Sequence, residues 1–265
     1  MMTASALFDD VDTATLGFLK TRPRLAMFDL IAPPASGHGR AMTAIPFDIV
    51  GFDLDGTLLD TGADLAAAVN HALGTIGHGP HAVEEIKPFI GKGARRMLER
   101  SLAAAGIVDQ ALVDELLPVL LTHYEANIAD NTLPYPGLLD AMDMLAARGI
   151  RLAICTNKRE GLARKLLDTL GLSPRFAAIV GGDTLGPNRH KPLPDLLLDM
   201  IAKAGGGRTI FLGDTDNDTL AARAAGVPSI AVSFGFVPCT AEEIGADAGI
   251  DHFDQLIPLL ERWPG

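Results

Sequence analysis

The chain has 265 residues, 48% of them hydrophobic, enough for one large domain or for a core with a smaller module. Its 33 acidic side chains against 22 basic ones leave a formal charge of -11, so neither nucleic acid nor a membrane surface is expected as a partner. No apolar stretch nears the roughly 20 residues that span a bilayer, and the two cysteines, Cys155 and Cys239, lack metal-ligand spacing, which suits a reducing cytoplasm.

Residues 1–41 show no sustained period and end in the breaker-rich run Ala32-Pro33-Pro34-Ala35-Ser36-Gly37-His38-Gly39-Arg40, so a weakly ordered extension is expected there. Asp9, Asp10, Asp12 and Asp29 argue against a secretion signal, and Met42 stands as an alternative start. Phe47 to Phe52 reads as an apolar strand, broken by Asp48, that runs into the acidic stretch Asp53 to Asp60. Residues 64–76 put Leu65, Val69, Leu73 and Ile76 on one helical face ahead of Gly77 and Gly79. Further helical stretches near 93–105 and 109–129 make residues 62–133 a helical block.

Beyond Tyr135-Pro136-Gly137 the pattern alternates. Helices are expected at 138–148, 159–170, 193–204, 216–225, 240–245 and 253–261, with strands at 151–155, 177–180, 208–212, 227–232 and 247–250. Such alternation specifies an α/β fold, a mostly parallel sheet covered by helices, with ligands beyond the carboxyl ends of the strands. The expected division is an α/β core of residues 42–61 and 134–265 and a helical module of 62–133.

Four polar clusters fall at or beyond strand ends: Asp53 with Asp55, Thr156 with Asn157, Lys191, and Asp214 with Asp218. Side chains two apart on an extended segment point the same way, so Asp53 and Asp55 reach one pocket, and Gly56 lets the chain turn after them. Carboxylates converging in a few ångströms repel unless a cation joins them, and oxygen ligands select magnesium or calcium. Magnesium needs one or two protein carboxylates plus a substrate phosphate, which suits Asp53 and Asp214 with a backbone carbonyl of the first loop. Lys191 and Thr156 then face the phosphate oxygens as point charge and hydroxyl donor. Any one aspartate could equally be a helix cap or a turn residue. A phospho-accepting signalling domain also gathers acids, a Thr and a Lys at strand ends, although such domains are shorter and carry no helical insert.

In this order the motifs resemble those of the haloacid dehalogenase (HAD) superfamily: Asp53-Leu54-Asp55-Gly56-Thr57; the strand Ala153-Ile154-Cys155 ending in Thr156-Asn157; His190-Lys191-Pro192; and Gly213-Asp214-Thr215-Asp216-Asn217-Asp218. The resemblance spans roughly residues 46–260 and implies a Rossmannoid core with an inserted helical cap. It implies a Mg2+-dependent phosphomonoester hydrolase working through a phosphoaspartyl intermediate. Asp53 would be the nucleophile, Asp55 the general acid and base, and Thr156, Asn157 and Lys191 the phosphate-binding groups. Asp53, Asp55, Asp214 and Asp218 would serve the metal, with Asp218 or Asn217 holding its waters or orienting Lys191. Asp55 favours phosphoryl transfer over dehalogenation.

Asp53 to Val69, Pro134-Tyr135-Pro136-Gly137 and Thr156-Asn157-Lys158 look most like the phosphoglycolate phosphatases. That implies hydrolysis of 2-phosphoglycolate, with a nucleotide, pyrophosphate or sugar phosphate as the alternative. Lys92 in Gly91-Lys92-Gly93, at a helix start, is expected either to read the substrate carboxylate or to belong to an ordinary solvated helix start, whereas Lys158, Arg159 and His190 are expected at the rim. The corresponding expectation is a cytoplasmic monomer or homodimer acting on a small phosphorylated metabolite.

Overall fold

The computed structural model describes residues 44–264, and the expected extension over residues 1–41 lies outside them. Strand β1 (Ile49–Phe52) is followed by the two-residue strand β2 (Leu59–Asp60) and by helices α1 (Gly62–Gly74), α2 (Val83–Ile86), α3 (Ala94–Ala104) and α4 (Gln110–Ala126). The chain returns through β3 (Leu133–Pro134), which pairs antiparallel with β2. Helices and strands then alternate: α5 (Leu138–Ala146), β4 (Arg151–Cys155), α6 (Glu160–Thr169), β5 (Ala178–Val180), α7 (Asp195–Lys203), β6 (Thr209–Gly213), α8 (Asp216–Ala224), β7 (Ser229–Val232), α9 (Ala241–Ile244), β8 (Ala248–Ile250) and α10 (Leu256–Glu261).

The six longer strands form one parallel sheet in the order β5-β4-β1-β6-β7-β8. Because successive side chains on a strand face opposite ways, the sheet has two apolar faces. Val50, Phe52, Ile154 and Leu212 belong to a core shared with α5 and α10, whereas Ile49, Ala153 and Phe211 join Leu196, Leu197 and Met200 of α7. Each fully buried side chain of this size contributes about 1.5–3 kcal/mol, so the middle of the sheet is its most strongly fixed part. Parallel strands covered on both faces read as continuous apolar runs, as β1, β4 and β6 do.

Register places the chemistry. Phe52 lies level with Ile154 of β4 and Leu212 of β6. The residues that follow, Asp53 on the central strand and Thr156 and Asp214 on its neighbours, therefore leave the sheet at one edge.

Helices α1 to α4 form the cap between β2 and β3. Asp64, buried in the first turn of α1, ties the outgoing chain to the returning one. Its carboxylate accepts hydrogen bonds from the Asn131 main-chain N–H at 3.0 and 3.1 Å, from Asn131 Nδ2 at 2.8 Å and from Thr132 Oγ1 at 2.7 Å. Two features escape the sequence pattern: β2 and β3 are too short to carry a period, and the stretch expected as one helix over 253–261 is a 3-10 turn at Phe253–Gln255 followed by α10. Asp64→Ala would strand those donors in a buried site. It is expected to lower unfolding stability by about 1–3 kcal/mol, read as a shifted urea midpoint with unchanged secondary structure by circular dichroism.

Candidate active site

At the edge of the sheet, Asp53, Asp214 and Asp218 offer carboxylate oxygens that lie within 4.8 Å of one another, all buried. Lys191 enters from the loop after β5, and its side chain is 1% exposed. Its Nζ lies 2.9 Å from Asp53 Oδ1, 2.6 Å from Asp218 Oδ1 and 2.9 Å from the Cys155 carbonyl oxygen. Burial alone would push this ammonium down, but Asp218 and Asp53 outweigh it and hold its pKa above the ordinary lysine value.

One ammonium against three carboxylates leaves a surplus of two negative charges in a buried space. Burial pushes the Asp53 carboxyl up to about 6 against the pull of Lys191, and burial together with Asp218 and Asp53 raises Asp214 well above the carboxylate range. The contact of Lys191 with Asp53 Oδ1 is an ion pair without hydrogen-bond alignment, so this buried oxygen accepts no hydrogen bond. An unpartnered carboxylate oxygen beside two further acids fits a hard divalent cation. Asp214 is seated by Thr57 Oγ1 and the Phe236 main-chain N–H, each at 3.3 Å. Gly56, at φ +85, makes room for it: a Cβ there would come within 2.3 Å of Asp214 Oδ2.

Asp218 is more fully engaged. Beyond Lys191, its Oδ2 accepts from Thr215 N at 3.0 Å and Thr215 Oγ1 at 2.6 Å, at the start of α8. Of the two residues expected to orient Lys191, it is Asp218 that touches it, while Asn217 lies buried with its Nδ2 unpartnered.

The structure does not bring Asp55 into that acidic group. Its carboxylate turns the other way and accepts from Thr61 Oγ1 at 2.7 Å and from Lys158 Nζ at 2.8 and 3.1 Å. Lys158, expected at the rim, is therefore a buried residue of the site, and its Nζ sits 4.5 Å from the ring centroid of Tyr124 on α4. Burial works against the ammonium, but Asp55 and Tyr124 raise its pKa overall. Tyr124 follows Val113, Leu116 and Leu120 on the buried face of α4, a spacing that reads only as core.

Asp53, Asp55, Thr156, Asn157, Lys158 and Tyr124 all line one cavity of about 60 Å³ between core and cap. That is room for on the order of five water-sized groups. Thr156 is buried at the cavity floor with its Oγ1 accepting from Lys158 N at 3.2 Å.

Asn157 has its amide committed to main chain: Nδ2 donates to the Gly91 carbonyl of the cap at 3.0 Å and to the Lys191 carbonyl at 3.1 Å, and Oδ1 accepts from Lys191 N at 2.9 Å. It thus joins the cap loop to the loop that delivers Lys191. Lys92 is not brought to the cavity. Its side chain is 41% exposed, lies 4.0 Å from Asp216 Oδ1, and lines an outer groove with Arg159 and His190.

Residues 50–232 match the haloacid dehalogenase-like hydrolases, and the chain belongs to that family. It is 43% identical over 223 residues to the phosphoglycolate phosphatase of Agrobacterium fabrum, covering 83% of this chain and 95% of that one. It is 42% identical over 220 residues to that of Mesorhizobium japonicum, with 81% and 95% covered. A crystal structure from Lactobacillus delbrueckii subsp. bulgaricus, 30% identical, has the same fold at a TM-score of 0.75 over 81% of this chain and 98% of that one. Within the family, then, the chain is a phosphatase of the phosphoglycolate phosphatase-like kind, and the buried aspartates fit its metal site.

A divalent cation bound here would compete with protons for Asp53 and Asp214. Because burial raises the Asp53 carboxyl to about 6, affinity for such a cation, tested with magnesium, is expected to fall as pH drops through about 6, by at most about tenfold per pH unit for each proton displaced. Calorimetric magnesium titrations on either side of that value check this, and an affinity that does not move would contradict it. Asn157→Ala, which frees the Gly91 carbonyl and the Lys191 main chain, is expected to lower kcat/KM by on the order of 10- to 100-fold with the fold retained, measured by steady-state kinetics beside a thermal melt.

Proposed function

We propose that this chain is a magnesium-dependent phosphatase that hydrolyses 2-phosphoglycolate to glycolate and phosphate through a phosphoaspartyl intermediate. The observation that carries the reading is the split between two carboxylates: Asp53 lies in the acidic group beside Lys191, and Asp55, two residues on, is held apart by Lys158 and Thr61.

Asp53 and Asp214 would hold Mg2+, with the main-chain carbonyl of Asp55 as a further oxygen donor. The ion would offset charge on the phosphate so that an anionic carboxylate can approach it. A carboxylate oxygen of Asp53 attacks phosphorus in line while the phosphorus–ester oxygen bond breaks. Asp55 gives its proton to the departing oxygen. Water then attacks phosphorus, Asp55 takes the proton back, and the bond from phosphorus to Asp53 breaks to release phosphate. Lys191 and Thr156 hold the phosphate oxygens throughout, and Asp218 keeps Lys191 aimed. The small cavity and the cap above it favour a short ester and exclude water from the first step.

Two unpaired cysteines, one of them buried, suit a reducing cytoplasm as the place of action. Asp53→Asn is expected to lower turnover by about a thousandfold or more while the protein stays folded. With magnesium present, a panel of phosphate esters should show the highest kcat/KM on 2-phosphoglycolate. Equal activity of the variant would overturn the role of Asp53, and preference for a nucleotide, pyrophosphate or sugar phosphate would replace the substrate.

A further inference from the structure

The cavity over Asp53 and Asp55 has a polar floor and a cap-side wall of Leu65, Ile90, Met97 and Leu120. Two polar elements of that wall are unused. Tyr124 is 2% exposed, and its buried hydroxyl proton has no acceptor, an arrangement that folded proteins seldom leave without a purpose. Helix α3 starts behind Gly93 with no side-chain cap, so the free N–H groups of its first turn are exposed where Gly93 and Ala94 line the same cavity. Below them, Lys158 gives two contacts to Asp55, at 2.8 and 3.1 Å. The same ammonium lies against Tyr124, 4.5 Å from its ring centroid, so its third N–H is turned toward that residue.

The cations the cap does own are drawn elsewhere: Lys92 lies beside Asp216, Arg95 pairs with Asp114, and Arg96 pairs with Glu99 at 2.8 Å. The unspent groups facing the leaving-group end of the cavity are thus donors. Burial pushes the Tyr124 phenol up to about 12, with Lys158 opposing, so it keeps its proton at neutral pH.

We infer that the Tyr124 hydroxyl and the first amides of α3 form a subsite for a carboxylate on the leaving group, with Tyr124 as the specificity-determining residue and Lys158 holding Tyr124 from below. This rests on the phosphatase reading above and names the groups that would read the acid end of its substrate. A neutral alcohol would satisfy one such donor, whereas a carboxylate, with two oxygens and a negative charge at a helix start, can satisfy the hydroxyl and the amides together.

The test compares the wild type and Tyr124→Phe, which keeps the ring and its packing, on 2-phosphoglycolate and on 2-hydroxyethyl phosphate, which has no carboxylate. The kcat/KM ratio between the two esters is expected to fall about tenfold or more in the variant, mainly through KM on the acidic ester. Glycolate alone, titrated calorimetrically, should bind the variant correspondingly more weakly. An equal fall on both esters would mark Tyr124 as merely structural and overturn the subsite, as would an unchanged ratio. If the wild type prefers 2-phosphoglycolate yet the variant keeps that preference, the subsite falls and the substrate stands. If the wild type prefers another small carboxylate ester, such as 2-phospholactate, and the variant loses that preference, the subsite stands and the substrate falls. A wild type indifferent to the carboxylate overturns both.

Discussion

The buried Lys191 ammonium, 2.9 Å from Asp53 and 2.6 Å from Asp218, is the contact on which the site depends. Acids from two different strand ends cannot be packed together away from water without a positive charge among them. Lys191 supplies one such charge from outside the strands that carry the acids. The arrangement stays short of neutral, which fits a cation site better than a closed structural ion pair. Asp218 spends both its oxygens on holding Lys191 and the start of α8, so the surplus falls on Asp53 and Asp214.

The same end of the sheet keeps two aspartates apart although only Leu54 separates them in sequence. Asp53 faces the sheet edge, where burial and other acids raise it; Asp55 faces the cap, where Lys158 and Thr61 take its oxygens. The proposed nucleophile and proton carrier would need different surroundings, and the two aspartates have them. Lys158 belongs to both halves of the molecule, paired with a core carboxylate and lying against the ring of a cap tyrosine.

Much of this was legible in the chain. The apolar runs at β1, β4 and β6 are strong because strands covered on both faces need them, and the polar residues that end those runs marked the site. Asp53, Thr156 and Asp214 are brought to one end of the sheet because β4, β1 and β6 are neighbours in parallel register, while Lys191 comes in from a loop and Asp218 from the start of α8. What escaped was side-chain direction around loops. Lys92, between two glycines, looked free to swing inward, but an acid on the core draws it to the outside. Lys158 looked like a surface charge because a buried lysine is legible only once its carboxylate partner is in view. Asn157 carried the right chemistry for a ligand contact, and in the structure both its N–H groups and one lone pair of its oxygen go to the main chain.

The β2–β3 ribbon has a consequence that reaches beyond this protein's own reaction. Since the cap leaves and rejoins the core through two adjacent segments, clasped by Asp64, the strands that hold the acids never run through it. Substitutions among α1 to α4 can remodel what lies over the cavity while the register that aligns Asp53, Thr156 and Asp214 is left alone. Such a chain separates two kinds of inheritance: the reaction is written in a sheet that tolerates little change, and the choice of molecule in an inserted segment that is free to drift.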